Sequence, residues 1–332
     1  MRLRYPSLLL TTLLAAAACT DSPDEPRTTE SAPGSPAPSV TAALTWQRLA
    51  AAPSARTEVA AATTGSQVYV VGGYRADGGT VATVEVFDTA TGKWTAGPDL
   101  PVAVNHAMAA TVDNEVYVFG GFLANGDPGK DAFKLEGGAW RPIAPLPQER
   151  AAGTAVAQSG KVYVAGGLNA GGLARQMLVY EPATNLWTNA PGPPTPREHL
   201  GGAGFGGKVY TVGGRAGGQG NFTAFESFDP TTNQWTVLPD LPTRRGGLAA
   251  AATCSGQVVA VGGEAEATFE EAEAFDVKAG TWSSLPPMLT PRHGLGVIAM
   301  GTTLYTFAGG PKPGLHVADS AESMDLAPLG SC

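Results

Sequence analysis

One pattern recurs six times along the 332 residues and leaves few architectures open. Its clearest copy runs Val68-Tyr69-Val70-Val71-Gly72-Gly73, then Val84-Glu85-Val86-Phe87-Asp88, then Trp94. Glycine pairs fall at 72–73, 120–121, 166–167, 213–214, 262–263 and 309–310. Trp46, Trp94, Trp140, Trp187, Trp235 and Trp282 are all the tryptophans in the chain. Both series advance by 46 to 49 residues. That period, with short apolar runs and turn residues between them, fits a four-stranded propeller blade rather than a helical repeat.

Each copy reads as four strands, named a to d. Strand a is made of small residues, as in Ala60-Ala61-Ala62 and Leu248-Ala249-Ala250-Ala251-Ala252. Innermost strands converge on a central axis, where large side chains clash. Strand b is β-branched and aromatic and ends on the glycine pair, as in Val162-Tyr163-Val164-Ala165-Gly166-Gly167. Strand c carries Glu-x-aromatic-Asp, as in Glu226-Ser227-Phe228-Asp229 and Glu273-Ala274-Phe275-Asp276. A turn then leads to strand d, which starts at the tryptophan. Proline-rich links such as Leu146-Pro147 and Leu241-Pro242 reach the next repeat, where no ladder needs the missing N–H.

The double glycine, spaced aromatic and later tryptophan resemble the Kelch repeat over about residues 41 to 330. The resemblance implies an all-β, six-bladed β-propeller. The second copy departs most, since Phe133-Lys134-Leu135-Glu136 lacks the acidic-aromatic pattern. Trp46 precedes the first a-b-c set, and the last set, ending in Ala321-Glu322-Ser323-Met324-Asp325, has no tryptophan after it. Leu44 to Leu49 should therefore supply strand d of the last blade and close the ring, leaving no open edge.

The propeller occupies 41–332 in this reading. Residues 1–18 read as a lipoprotein signal peptide: Arg2 and Arg4 are followed by an apolar core and by Ala16-Ala17-Ala18-Cys19. Cys19 would carry the lipid; an ordinary secretory signal cut near Ala18 is the alternative. Residues 19–40 are rich in Pro, Ser, Thr and acid and read as a disordered tether. Its 21 residues after Cys19 span about 70 Å at most. The expected location is the bacterial cell envelope, at an outer membrane or cell surface. Net charge is −8; without Arg2 and Arg4 it is −10, 19 basic against 29 acidic residues. There is no Lys/Arg run and no case for nucleic acid. A monomer is expected. Export permits a disulfide between Cys254 and Cys332; two free thiols are the alternative.

Alternating strand direction puts the d–a links and b–c loops on one face, here the upper face. The a–b and c–d turns share the lower face. The N-terminal strand, as a strand d, should enter from below. The b–c loops vary in length and polarity, from Tyr74–Thr80 to Pro311–Asp319, over a repeating frame. That is the usual layout of a binding surface, and protein or glycan is the expected partner.

Arginines recur before strand a: Arg56, Arg150, Arg197, Arg245 (or Arg244) and Arg292, each 16 to 18 residues before a glycine pair. Near the upper mouth they would bind an anionic or carboxylated ligand, with Arg215 in the blade 4 loop as a further candidate. The competing reading is an in-blade Arg–Glu pair. It draws support from Glu85, Glu226, Glu273 and Glu322, which occur only in copies that have the arginine. Copy 3 has Arg150 with Leu178, making Arg150 the arginine expected to be free.

His106, His199 and His293 lie near the same rim, but alternate blades are expected to hold them apart, and His293 is offset by two positions. With no His-x-x-His or Cys-x-x-Cys spacing, neither a metal site nor a cofactor is expected. Nucleophile-elbow and phosphate-loop motifs are absent from the sequence. Some Kelch propellers are copper oxidases with a tyrosine–cysteine cross-link, which the cysteine positions here do not suit. Others are sialic-acid mutarotases, so a sugar-modifying enzyme working in the mouth is the alternative to a binding module.

Overall fold

The computed structural model describes residues 44–332. The expected signal peptide, the acylated Cys19, the tether and the emergence of Thr41 lie outside these residues.

The small residues that open each repeat form innermost strands. Four-stranded antiparallel sheets follow in the order a-b-c-d. Blade 1 comprises Ala60–Thr64, Gln67–Val71, Val84–Asp88 and Lys93–Ala96. Blades 2 to 5 repeat it with inner strands Met108–Val112, Thr154–Gln158, Gly201–Phe205 and Ala249–Ala252. Blade 6 takes Gly296–Met300, Thr303–Phe307 and Ala321–Asp325 from the C-terminal end, and Trp46–Arg48 from the N-terminal end. Trp46 pairs with Met324 and Arg48 with Glu322, as the missing tryptophan predicted. Trp46 therefore lies at the c–d turn end, and the chain enters blade 6 from the lower face. Among the described residues the sole helix is a 3-10 turn at Ala327–Leu329.

Alternation along strands b and c sends apolar side chains to both faces of each sheet, because every blade is covered on both sides. Six buried apolar clusters result, one for each blade–blade interface. Between blades 1 and 2, for example, Tyr69, Val84 and Val86 pack with Val116, Val118 and Phe133. Each tryptophan adds a polar tie. The indole N–H of Trp94 donates to Ala50 O, Trp140 to Pro98 O and Trp187 to Ala144 O, at 2.7–2.8 Å. Trp235, Trp282 and Trp46 donate to Pro191, Pro239 and Pro286. Every acceptor lies at the end of strand d of the preceding blade or in the link leaving it, so an amphipathic ring spans each joint.

The double glycine serves the same joints. Its second N–H donates to a carbonyl of the next blade's strand a entry: Gly73 to Val104, Gly121 to Arg150, Gly167 to Arg197, Gly214 to Arg245, Gly263 to Arg292 and Gly309 to Arg56. The first glycine sits at positive φ, and a Cβ on Gly72 would collide with the carbonyl of Val104. This ladder corrects the sequence register in blade 6. The left-handed pair there is Ala308 (φ 57°) and Gly309 (φ 101°), not 309–310. With Ala308 in first place, Arg292 precedes its pair by 16 residues, as Arg56, Arg150 and Arg197 do.

Cys254, in the a–b turn of blade 5, and Cys332 are joined by a disulfide, with Cα atoms 5.2 Å apart. The C-terminal segment thus runs from strand c of blade 6 across the lower face to the neighbouring blade.

Candidate functional site: the upper mouth of the axial channel

Two residues after each arginine position the backbone turns left-handed. The six residues concerned are Glu58, His106, Ala152, His199, Gly247 and Gly294, with φ between 50° and 68°. Their peptides link blade to blade around the axis. His106 N–H donates to Glu58 O, Ala152 to His106, His199 to Ala152, Gly247 to His199 and Gly294 to Gly247, at 2.7–3.0 Å; Val59 N–H completes the circle onto Gly294 O. The collar surrounds a cavity of about 150 Å³ at the top of the channel, floored by the inner strands. Gly294 leaves room for the Glu58 carboxylate, which a Cβ there would displace.

The collar brings together residues that the sequence reading kept apart. His106 and His199 meet with ring centroids 4.6 Å apart and planes at 74°. The expectation that alternate blades separate them is not met, for two reasons. The collar is narrow, and Ala152 between them contributes only a methyl group. His293 stands one position before the collar, an offset of one rather than two once blade 6 is re-registered.

Glu58 is the hub. Its Oε2 lies 3.1 Å from His106 Nε2, and its Oε1 lies 3.1 Å from His293 Nδ1. His106 Nδ1 is held at 2.5 Å by Asn105 Oδ1, while Asn105 Nδ2 donates to Thr80 Oγ1. His199 Nδ1 faces Glu198 Oε2. His293 Nε2 contacts the carbonyl of Lys312 at 3.0 Å. Tyr74 and Phe122 stand edge-on to His106, at 5.9 and 5.5 Å.

Burial opposes ionisation of Glu58, but the His106 charge and the His293 hydrogen bond outweigh it and hold the carboxyl well below the usual carboxylate range. Burial lowers His106, with Glu58 pulling the other way. It lowers His199 further, helped by His106. For His293 burial is outweighed by the hydrogen bond and charge of Glu58 and by Glu264, and its pKa rises.

Above the collar sits an ion network. Arg215 donates from Nε to Glu198 Oε1 (3.1 Å) and from Nη1 to Glu264 Oε1 (2.6 Å). Glu264 Oε2 accepts from Gly314 N–H at 3.0 Å. The Arg215 side chain keeps 32% exposure, more than either carboxylate it holds. Of the six arginine candidates, Arg215 alone belongs to this mouth.

The other five are buried inside their blades. Arg56 donates to Gly72 O (2.7 Å), Thr83 O (3.0 Å) and Glu85 Oε2 (2.9 Å). Arg197 pairs with Glu226 at 2.6 Å, Arg245 with Glu273 at 2.5 Å and Arg292 with Glu322 at 3.3 Å. Arg150 has Leu178 where the others have glutamate; Nη1 donates to Gly166 O and Gln176 O, and burial lowers its pKa to about 10. It is unpaired with a carboxylate, as the repeat comparison implied, yet fully buried. Arg244 is exposed and takes no part. In blade 2 the pair is replaced by Val104 and Phe133, both buried. The guanidinium groups tie strand a to the ends of strands b and c, and they do not line the mouth. The anion-binding expectation built on them loses its geometry.

Glu58, Glu198 and Glu264 were missed. The signal was available for Glu58, because aligning the copies on the arginine position gives the column Glu-His-Ala-His-Gly-Gly.

This chain belongs to the Kelch-repeat family: residues 40–191 and 143–310 match the KLHDC2/KLHL20/DRC7 Kelch-repeats domain. No curated protein matches it. Among solved structures it is similar to that titled "Structure of YjhT", with a TM-score of 0.71 and 18% identity over 82% of this chain and 95% of that one. At that identity the likeness concerns the fold.

Proposed function

We propose that this Kelch propeller is an exported, lipid-anchored binding module of the bacterial cell envelope that captures a protein or glycan through its upper face. The observation that carries this is the convergence of six divergent b–c loops and the Glu58–His106–His199–Arg215 group on one mouth above a rigid collar. Such a layout gives fixed geometry below and variable chemistry above. The Cys254–Cys332 disulfide suits an oxidising compartment. The ligand chemistry differs from the sequence expectation. Glu58, Glu198 and Glu264 outnumber Arg215 at the mouth, which favours a hydroxyl-rich ligand, able to accept from the guanidinium and donate to the carboxylates, rather than an anion.

The test is capture of glycans and envelope proteins by the detergent-solubilised chain, compared with its Arg215→Ala variant. Capture should fall at least about 10-fold, the loss expected when one charged contact worth about 1.4 kcal/mol goes. Equal capture by both forms would remove the mouth from the account.

A second reading, a sugar-modifying enzyme of mutarotase type, is favoured by one feature. A carboxylate touches and orients two imidazoles, an arrangement suited to general acid–base work by the histidines. Under that reading Glu58→Gln abolishes anomer interconversion of a sugar acid, measured by NMR, while the fold persists.

A further inference from the structure

We propose that Glu58, His106 and His199 form a site for one divalent metal ion of the zinc class, set in the collar at the channel mouth. This rests on the reading of the mouth as the functional site and goes beyond it by naming an inorganic ligand.

Three observations carry it. The ligand atoms of these residues, one from each, all lie within 4.8 Å of one another. A tetrahedral ion with bonds of about 2.0–2.1 Å needs its donors about 3.3 Å apart. The Glu58 Oε2–His106 Nε2 separation of 3.1 Å already meets that, and a small movement of His199 completes the set. The second observation is the outer partners. Metal-binding imidazoles characteristically anchor their other ring nitrogen on a carboxylate or amide oxygen. His106 Nδ1 is anchored on Asn105 Oδ1, which leaves Nε2 of that ring for the ion, and His199 Nδ1 faces the Glu198 carboxylate. The free oxygen of Glu58 is likewise fixed, by His293 Nδ1.

The third observation is placement. Each donor sits on a left-handed collar residue cross-tied to the next blade, so the donors are held by backbone rather than by a loose loop. Two imidazoles and one carboxylate suit zinc and its first-row neighbours rather than magnesium or calcium. Three protein donors leave a fourth position, which the open mouth gives to water or to an oxygen or nitrogen of a bound ligand. Arg215 brings a like charge nearby, but Glu198 and Glu264 match it.

The experiment is calorimetric titration of the chelator-stripped, detergent-solubilised full chain with Zn²⁺, paired with the visible spectrum of its Co²⁺ form. The expected result is one ion per chain with a tetrahedral cobalt spectrum. His106→Ala and His199→Ala should each weaken binding at least about 100-fold, and Asn105→Ala about 10- to 100-fold through the outer partner. His316→Ala, at an exposed loop histidine, should leave it unchanged. Should an alanine variant lose its fold by circular dichroism, His106→Gln and His199→Gln keep the bulk and serve instead. Absence of a stoichiometric ion overturns the proposal. So does binding that survives loss of both histidines, or that disappears with His316. Failure here with capture still dependent on Arg215 removes the metal and leaves the binding module. An ion bound without any captured partner does the reverse.

Discussion

A buried guanidinium is stable when its charge and donors are matched, and the five in-blade arginines divide on that rule. Arg197 and Glu226 neutralise each other at almost zero exposure. Removing one member leaves a buried charge unpaired, which costs about 3–5 kcal/mol. Arg150 faces no carboxylate, and its Nε and Nη2 have no protein partner. Arg150→Met orphans no acid and relieves a buried charge, at the expense of two carbonyl contacts. Arg197→Met should therefore lower unfolding stability by about 3–5 kcal/mol and Arg150→Met by under about 1.5 kcal/mol, compared in urea titrations. Equal losses would show that the glutamate adds nothing. The pairing was legible from the repeats, where arginine and glutamate come and go together. Burial was not, because exposure depends on how far the strand a entry lies from the axis, and spacing does not encode radius. The same limit hid the histidine cluster. Side chains 93 residues apart, His106 and His199, meet only because a narrow collar turns both inward past an alanine.

At the level of elements, the Asp ending strand c explains the last letter of the repeated motif. Asp88, Asp229, Asp276 and Asp325 each accept from a backbone N–H two residues on, those of Ala90, Thr231, Lys278 and Ala327. These bonds fold the c–d turn, or its counterpart after blade 6. Hydrogen bonds hold all four carboxyls below their ordinary value of 3.8, chiefly from the Ala90 and Ala327 N–H groups for Asp88 and Asp325, from the Thr231 hydroxyl for Asp229 and from the Ala279 N–H for Asp276. A depressed folded pKa means the unfolded chain takes up the proton first as pH falls. The turns' contribution is therefore complete above 3.8 and is lost as pH drops through the folded values. Asp→Asn at these four sites should flatten the melting temperature's dependence on pH below about 4 and leave its dependence near neutrality as it was. Acid sensitivity identical to that of the parent would contradict this.

The closing elements are likewise two. Trp46–Arg48 knits blade 6 together, and the disulfide fastens the tail beyond it to blade 5. A cross-link of residues 78 apart removes chain entropy worth about 4 kcal/mol in the unfolded state. Cys254→Ser should cost about 2–4 kcal/mol by denaturant unfolding, and reductant should cost the parent the same and the variant nothing. Closure was legible because a tryptophan was missing at one end and spare at the other. The glycine register of blade 6 was not, since Ala308-Gly309-Gly310 offers two pairs and only the hydrogen bond from Gly309 to Arg56 chooses between them.

On the scale of the molecule, six sheets share one set of rules: small residues innermost, glycine N–H groups across each joint, an indole bond outside. The repetition makes a frame whose interior is indifferent to what its upper loops carry. Function is therefore written in departures from the repeat, and the largest are at the collar, where equivalent positions hold Glu, His, Ala, His, Gly and Gly. Copies 1, 2 and 4 differ there while their sheets keep the same four-stranded order. The ring was readable because each copy confirms the others. The site was less so, because its acidic residue occurs in one copy and its histidine in only two of the six.

Amide hydrogen exchange of the full chain, with and without its captured partner, tests this division most directly. The account predicts new protection at the collar positions 58, 106 and 199 and in the loops 74–80, 215–222 and 264–270, with the outer strands and the a–b and c–d turns unchanged. Protection on the lower turns or along the outer strand edges, with the collar unaffected, would contradict it.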